Sequence, residues 1–536
     1  MAAAPTEREL KLEADDKFVL PDLGGIVAGG RVEDDGEVEL DATYYDTQDR
    51  RLLRRGVTLR HRTGEAQTGT WTLKVPVTGT GDTLDRTELE WVAPADQRPG
   101  AADQLTIGVR AGRPLAVIGT LRTRRHRRVL RDAEGRSLAE IDDDHVTATT
   151  PSGPVAFREI EVELTGGTPA LAAKIGAALE KRGAKANQPQ PKLQRVLGPE
   201  GEPPAALDRS STLGEVALAS IAAALDRLLT HDPAVRLQED PEAVHQARVA
   251  TRRLRSDLRL LKDLFDEEWM GVVRPALRDV ARTLGEVRDL DVQLERVEAA
   301  EAGTPVEQEG VSGLAAQLRR QRHEAADRLA TLMDGVAYTN LIERLLDAAA
   351  NPPWRETAGG GYRHGHGGEG QDSHGQGQDG HGHGSGHGSG GRRRPRLRPD
   401  KPARRALPRL LRRRWRKVRK SVTALSRPPA PAELHAVRKR SKELRYNAEL
   451  ATPVLGPPAA RLAAAAEDLQ DLLGQHHDAV VAGEWLHTAA ASGTRPKAFA
   501  AGQLAHAAQL RRAQVEEAWP EVWERLADKE LRRAVW

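Results

Sequence analysis

One heptad, Arg158-Glu159-Ile160-Glu161-Val162-Glu163-Leu164, narrows the possible folds of this chain more than any other stretch. Side chains two apart on a β-strand share a face, so Ile160, Val162 and Leu164 line one side and Glu159, Glu161 and Glu163 the other. Near the start of the chain Glu7-Arg8-Glu9-Leu10-Lys11 alternates in the same way, with Glu7, Glu9 and Lys11 on one face. Carboxylates stacked like this repel unless water or a cation neutralises them. Between the two stretches lie strand-like segments whose shared face is cationic. They are Leu59-Arg60-His61-Arg62, Trp71-Thr72-Leu73-Lys74 and Leu121-Arg122-Thr123-Arg124. Any antiparallel strand with one wet face shows alternating charge. A set of such strands, sorted into acidic and basic groups, suits a sheet that closes and turns its charged faces into a lumen. Carboxylates for a divalent metal and cations for a polyanion are the two halves of a phosphoryl-transfer site.

The ordered motifs Glu7-x-Glu9-x-Lys11, Tyr45-Asp46-Thr47, Leu59-Arg60-x-Arg62, Thr72-Leu73-Lys74, Glu88-x-Glu90 and Glu161-x-Glu163 resemble the CYTH domain over residues 5–200. CYTH domains are the triphosphate tunnel metalloenzymes. The resemblance implies an eight-stranded antiparallel β tunnel or barrel with flanking helices, and a Mg²⁺- or Mn²⁺-dependent site that grips a triphosphate. Family members include inorganic triphosphatases, thiamine triphosphatases and a class of adenylate cyclases. Carried over by position, Glu7, Glu9, Glu161 and Glu163 are expected as metal ligands, and Glu7, Glu9, Lys11, Lys74 and Glu161 as catalytic residues. Lys11, Arg60, Arg62, Lys74, Arg122, Arg124 and Lys192 are expected as phosphate clamps. Lys192 falls where the family often places a last lysine from a carboxy-terminal helix. Glu88, Glu90 and Asp142 are further candidates, although the acidic run around Asp142 also suits a solvated turn. The chain has no Walker-type loop and no adenine-reading feature, which ranks adenylate cyclase below a triphosphatase.

From about residue 210 the chain turns rich in Ala, Leu, Arg and Glu with helical periodicity, so an all-α second half is expected. His245, Arg248, Arg252 and Arg255 fall within a stripe about 80° wide on one helix face at 100° per residue. The spacing recurs as His435, Arg438, Lys442 and Arg445, with Lys439 beside it. Leu284-Gly285-x-x-Arg288-Asp289 follows the first stripe, and Leu473-Gly474-x-x-His477-Asp478 follows the second. This duplication predicts two similar helical bundles, about 210–350 and 400–530, related by a pseudo-twofold axis. A basic helix face is usually a solvated surface. Two such stripes facing each other would form a cationic groove or pore suited to a long, flexible polyanion. These motifs resemble the CHAD domain over residues 210–530, whose known role is binding inorganic polyphosphate. His245 and His435 are candidates either for phosphate hydrogen bonds, with charge that varies near neutral pH, or for structural contacts.

Residues 355–391 are Gly-, His-, Ser- and Gln-rich and are expected to be a disordered insert, acting as a spacer rather than a metal site. The following segment, Arg392–Lys420, holds sixteen Lys or Arg against Asp400 alone. It lacks a groove-reading motif and aromatic platforms beyond Trp415, so nucleic acid is not the expected partner. A linker is expected at 201–209, next to Pro199–Pro204. The chain has no cysteine, which excludes disulfides, thiol catalysis and Cys-ligated zinc. Without a basic-then-apolar start or a spanning apolar run, a cytoplasmic location is expected, with polyphosphate granules as a place of association. The fold class expected is therefore α+β multidomain, handling triphosphate or polyphosphate; a pure binding protein would need nearly the same charges.

Overall fold

The computed structural model describes residues 6–65, 68–76, 84–150, 153–186, 191–198, 206–300, 304–356 and 397–536. Most of the expected linker and nearly all of the expected Gly/His-rich insert lie outside the described residues.

The first unit is a sheet of nine antiparallel strands. They are β1 (Thr6–Ala14), β2 (Arg31–Asp46), β3 (Thr58–Thr63), β4 (Thr70–Pro76), β5 (Leu84–Val92), β6 (Ala116–Arg131), β7 (Ser137–Thr150), β8 (Gly153–Leu164) and β9 (Lys185–Ala186). Their order is β5-β4-β3-β2-β6-β7-β8-β1-β9. The first half of β1 also pairs with β5, through Thr6↔Thr87 and Glu7↔Arg86, so the two ends of the eight-strand order meet. The ninth strand, two residues long, adds to β1 at Leu12 and Glu13. It is the one departure from the expected strand count.

The apolar faces point outward, because helices cover them. Leu12, Ile141, Ile160 and Val162 pack on Leu171, Ile175 and Leu179 of α2 (Pro169–Glu180). Leu59, Trp71, Leu73 and Leu89 pack on Ala102 and Leu105 of α1 (Gly100–Thr106) and on Val109. Burial of these side chains drives closure, and it turns Lys11, Arg60, Lys74, Arg125, Asp142 and Glu161 inward. A short helix, α3 (Lys192–Leu197), sets Leu193 and Val196 against Ala42, Tyr44, Leu121 and Val146.

The second unit is helical. It runs α4 (Leu213–Leu237), α5 (Pro241–Leu260), α6 (Glu267–Glu298), α7 (Pro305–Asp334), α8 (Val336–Ala350), then α9 (Ala403–Thr423), α10 (Pro431–Leu455), α11 (Pro457–Ala491), α12 (Arg495–Leu526) and α13 (Lys529–Arg533). The duplication is visible in reciprocal contacts. Leu213 N donates to Lys401 O and Ala403 N to Ser211 O, both at 2.9 Å, so the starts of α4 and α9 clasp each other. Helix α5 begins at Asp240, whose side chain accepts from Glu242 N, with Pro241 in the first turn. It buries Val244, Ala247, Ala250, Leu254 and Leu258, which leaves the His245–Arg255 stripe on its flank. The two units meet where Arg51 Nη1 donates to Glu343 at 2.7 Å and Arg113 joins the same carboxylate. No described helix is long and apolar enough to cross a membrane.

Candidate functional site

Cross-strand register decides which charges meet, because directly opposed residues share a face. Lys11 opposes Glu161, Glu161 opposes Asp142, and Asp142 opposes Arg127. One pair further on, Glu13, Glu159, Asp144 and Arg125 line up in the same way. Across the lumen, Tyr44, Arg60, Thr72 and Glu90 form a third row, and Thr58, Lys74 and Glu88 a fourth. The interior is thus a lattice of opposite charges held on strands.

Arg125 is its hub. Its Nε and Nη2 donate to the two oxygens of Asp144 at 2.8 and 2.6 Å, Nη2 also reaches Glu161 at 2.8 Å, and Nη1 pairs with Asp142. Lys192 Nζ lies 2.6 Å from Asp144, 2.9 Å from Glu161 and 3.2 Å from Glu159. Lys11 closes tightly on Glu161 and stands 3.8 Å from Glu159. These cations hold the Glu161 and Asp144 carboxyls below the usual range despite burial. Burial wins at Glu159 and Asp142, whose carboxyls are pushed up. Glu159 Oε1 is buried and is the oxygen that faces both lysines. Opposite, Lys74 lies 3.2 Å and Arg60 3.9 Å from Glu88. Arg60, Lys192 and Lys74 pull the buried Tyr44 hydroxyl down, the mark of an excess of positive charge there.

The expected site residues sort accordingly. Lys11, Arg60, Arg62, Lys74, Glu88, Glu90, Asp142, Glu161 and Lys192 come together in the lumen, and Glu163 opposes Glu140 and Glu9 in the same face series. The side chains of Glu7 and Glu9 lie outside the described residues. Arg122 and Arg124 need correction. Arg122 is 68% exposed and pairs with Asp41 at 3.0 Å on the outer face, and Arg124 lines an outer cleft with Arg128 and His145. The inward residues of β6 are Arg125 and Arg127, one position along. Arg122 to Arg128 is basic at both parities, so alternation alone could not choose between the sets. Asp144 and Glu159 were also missed as site residues, although Glu159 shares a face with Glu161 by simple alternation. No group of three or more carboxylates or imidazoles among the described residues is arranged to hold a metal ion.

In the helical half, the two stripes converge. Arg248 donates to Gly285 O at 3.2 Å and to Asp289 at 2.6 Å. A Cβ on Gly474 would sit 3.4 Å from the Arg438 guanidinium, so the repeated Leu-Gly gives these side chains room to lie against the next helix. Burial and the neighbouring Arg252, Arg438 and Arg248 push Lys442 down to about 6. His435 is pushed down to about 4 by burial and by His477, whose ring centre is 3.8 Å away. Burial lowers His245 too. These histidines are therefore neutral near pH 7, contrary to the expectation of charge varying there. The group poised near neutrality is Lys442. Arg252 Nε, Arg438 Nε and His435 Nδ1 are buried without a hydrogen-bond partner. Lys439 is exposed, and Arg445 is engaged by Glu449 and Glu467 at 2.7 and 2.6 Å.

A charged eight-strand tunnel followed by a duplicated cationic helical bundle is the class that this geometry defines. Comparison agrees: residues 6–195 match the CYTH domain and residues 219–487 the CHAD domain. The chain belongs to the CHAD family and carries a CYTH domain ahead of it, which ties it to triphosphate chemistry. An uncharacterized protein of Mycobacterium tuberculosis is 29% identical over 513 residues, covering 90% of this chain and 88% of its own length. The CHAD domain of the plant Ricinus communis superposes with a TM-score of 0.43 at 20% identity, over 62% of this chain and 96% of its own. A Hippeastrum protein, provisionally an adenylyl cyclase and described as having a dominant triphosphatase activity, gives 0.23 at 18% identity, over 35% of this chain and 93% of its own.

Proposed function

We propose that the N-terminal tunnel hydrolyses inorganic triphosphate, or a related triphosphate, with Mg²⁺ or Mn²⁺, and that the helical half binds polyphosphate. The observation that carries this reading is the lumen lattice, in which each described clamp residue now neutralises a carboxylate. A metal–triphosphate complex brings both partners at once. Its anionic oxygens suit Arg60, Arg62, Lys74, Arg125, Arg127, Lys11 and Lys192, and the carboxylates they release suit a hard cation. Exchange of ion pairs for ion pairs avoids leaving a buried charge unpaired.

The donor set fits the metal in kind: it is all oxygen, from Glu161, Glu163 and Asp144, with Glu7 and Glu9 expected beside them. Bound there, the metal would neutralise charge on the phosphate oxygens. Arg60 and Arg125 offer planar forks that orient the chain, while Lys11 and Lys192 act as point charges. Glu159, whose carboxyl burial pushes up, takes a proton from attacking water once Lys192, 3.2 Å from its Oε1, turns to phosphate. The groove between α5 and α10, with its crowded Arg248, Arg252, Arg438 and Lys442, suits a long polyanion. Tethering it to the tunnel raises the local concentration of chain ends.

The test is phosphate release from the full chain, given tripolyphosphate, ATP and long-chain polyphosphate in turn, with Mg²⁺, Mn²⁺ or chelator. Metal-dependent release from tripolyphosphate, abolished in Glu161→Ala and Arg60→Ala, is the expected result. Retention on a polyphosphate column should survive in both variants and weaken in Arg252→Ala/Lys442→Ala. No release with any metal, alongside retention, would make the tunnel a receptor rather than an enzyme.

A further inference from the structure

The two copies of the cationic seam differ most at the end away from the histidines. Along α5 and α6, His245 lies by Arg288, Arg248 by Gly285 and Asp289, and Arg255 by Arg274 and Arg278. Along α10 and α11 the corresponding sequence positions hold His435 by His477, Arg438 by Gly474, and Arg445 by Glu467. The stripe continues on the first copy to Arg259, where the second has Glu449, and Arg274 corresponds to Ala463.

The consequence is a reversal of local charge. In the second copy Arg445 is closed off inside its own seam by two carboxylates, and Arg253 reaches across to Glu449 at 2.7 Å. In the first copy Arg255, Arg259, Arg274 and Arg278 surround a cavity of about 260 Å³ with Leu258 and Met270 at its back. Arg259 shares Glu443 with Arg414, and Arg278 touches its neighbour Asp279 at 3.3 Å. Arg255 and Arg274 form no ion pair among the described residues. Four guanidiniums held together with so little compensation favour an anion in the space between them.

We infer that this cradle is an end subsite, which takes the terminal phosphate of a polyphosphate chain lying in the groove. The volume is enough for a phosphate or two. A terminal phosphate has a second ionisation near neutral pH, at about 6 for a phosphomonoester, whereas an interior unit of the chain carries a single charge. The four-arginine end therefore favours a terminus over an interior unit, and the neutralised end of the other copy does not. The duplicated groove is then polar in use, holding one chain terminus and leaving the other end of the polymer free. This rests on the reading of the groove as a polyphosphate site.

The experiment uses the full chain with long-chain polyphosphate having free ends, the same polymer with both ends blocked as phosphoramidates, and pyrophosphate. Free-ended polymer is expected to bind about tenfold more tightly than end-blocked polymer. Arg274→Ala/Arg278→Ala, two exposed positions on α6, should erase that difference and leave end-blocked binding unchanged. Arg252→Ala/Lys442→Ala should weaken both polymers alike. Equal binding of the two polymers by the unsubstituted chain, or a preference that survives loss of Arg274 and Arg278, would overturn the end subsite while leaving the groove intact. If neither polymer bound, the groove reading would fall. In that case the cradle would stand only if pyrophosphate bound and the Arg274/Arg278 pair removed it, and otherwise would fall too.

Discussion

Replacing Arg125 by alanine tests the lumen lattice at its hub. The guanidinium is buried and answers three carboxylates, Asp144 and Glu161 at 2.6–2.8 Å and Asp142 through Nη1. Removing one partner of a buried ionic group costs about 3–5 kcal/mol, because the other side keeps its charge without compensation. The amides of β6, β7 and β8 should then exchange with deuterium roughly two to four orders of magnitude faster, since each 1.4 kcal/mol is a factor of ten. The pH dependence has a definite sign. In the intact protein Asp144 and Glu161 titrate below their usual range, so they contribute stability above the unfolded carboxylate pKa that is lost as pH falls through the folded values. Without Arg125 their carboxyls rise, so the deficit of the variant is full near pH 7 and shrinks only as pH falls to about 4, into the usual carboxylate range. Peptide-resolved hydrogen exchange at both pH values measures this. Unchanged protection of β6–β8 at pH 7, or a deficit that grows on acidification, would refute the lattice argument.

Arg122→Ala should leave triphosphate turnover within about twofold of the parent, because an exposed ion pair contributes little, whereas Arg127→Ala should lower it at least tenfold; a steady-state assay compares them. Lys442, at about 6 in the free protein, regains its proton beside a polyanion, so polyphosphate binding takes up protons and weakens as pH rises above 6. Calorimetry in buffers of different ionisation enthalpy reads the uptake, and Lys442→Arg should remove it. Gly108→Ala places a Cβ within 2.5 Å of the Asp232 carboxylate, which bonds Arg236 at 2.7 Å and Tyr338 at 2.5 Å. It should cost about 1–3 kcal/mol of stability, seen as a lower midpoint in urea. Chelation of divalent metal should stop phosphate release and leave retention on polyphosphate unchanged.

Both halves of the fold were legible in local pattern. Period-two alternation in Glu159–Leu164 marked strands with one charged face, and the recurrence of His-x-x-Arg spacing marked two helical copies, because side-chain direction repeats with the backbone. Alternation also found the parity of Lys11, Arg60, Arg62, Lys74 and Glu161, where apolar residues occupy the opposite face. It failed at Arg122–Arg128, where both faces are basic. There the choice fell to register: β6 pairs Arg125 with Asp144 and Arg127 with Asp142, and burial of the paired set turned Arg122 and Arg124 to solvent. Charge state was likewise decided by tertiary packing. Nothing local distinguishes Lys442 from Lys439, yet one lies among three guanidiniums and the other in water. The divergence of the two seams was present in the sequence as Arg259, Arg274 and Arg278 against Glu449, Ala463 and Glu467. Its meaning appeared only when α5 met α6 and α10 met α11, since electrostatic energy depends on distances that the chain's order does not contain.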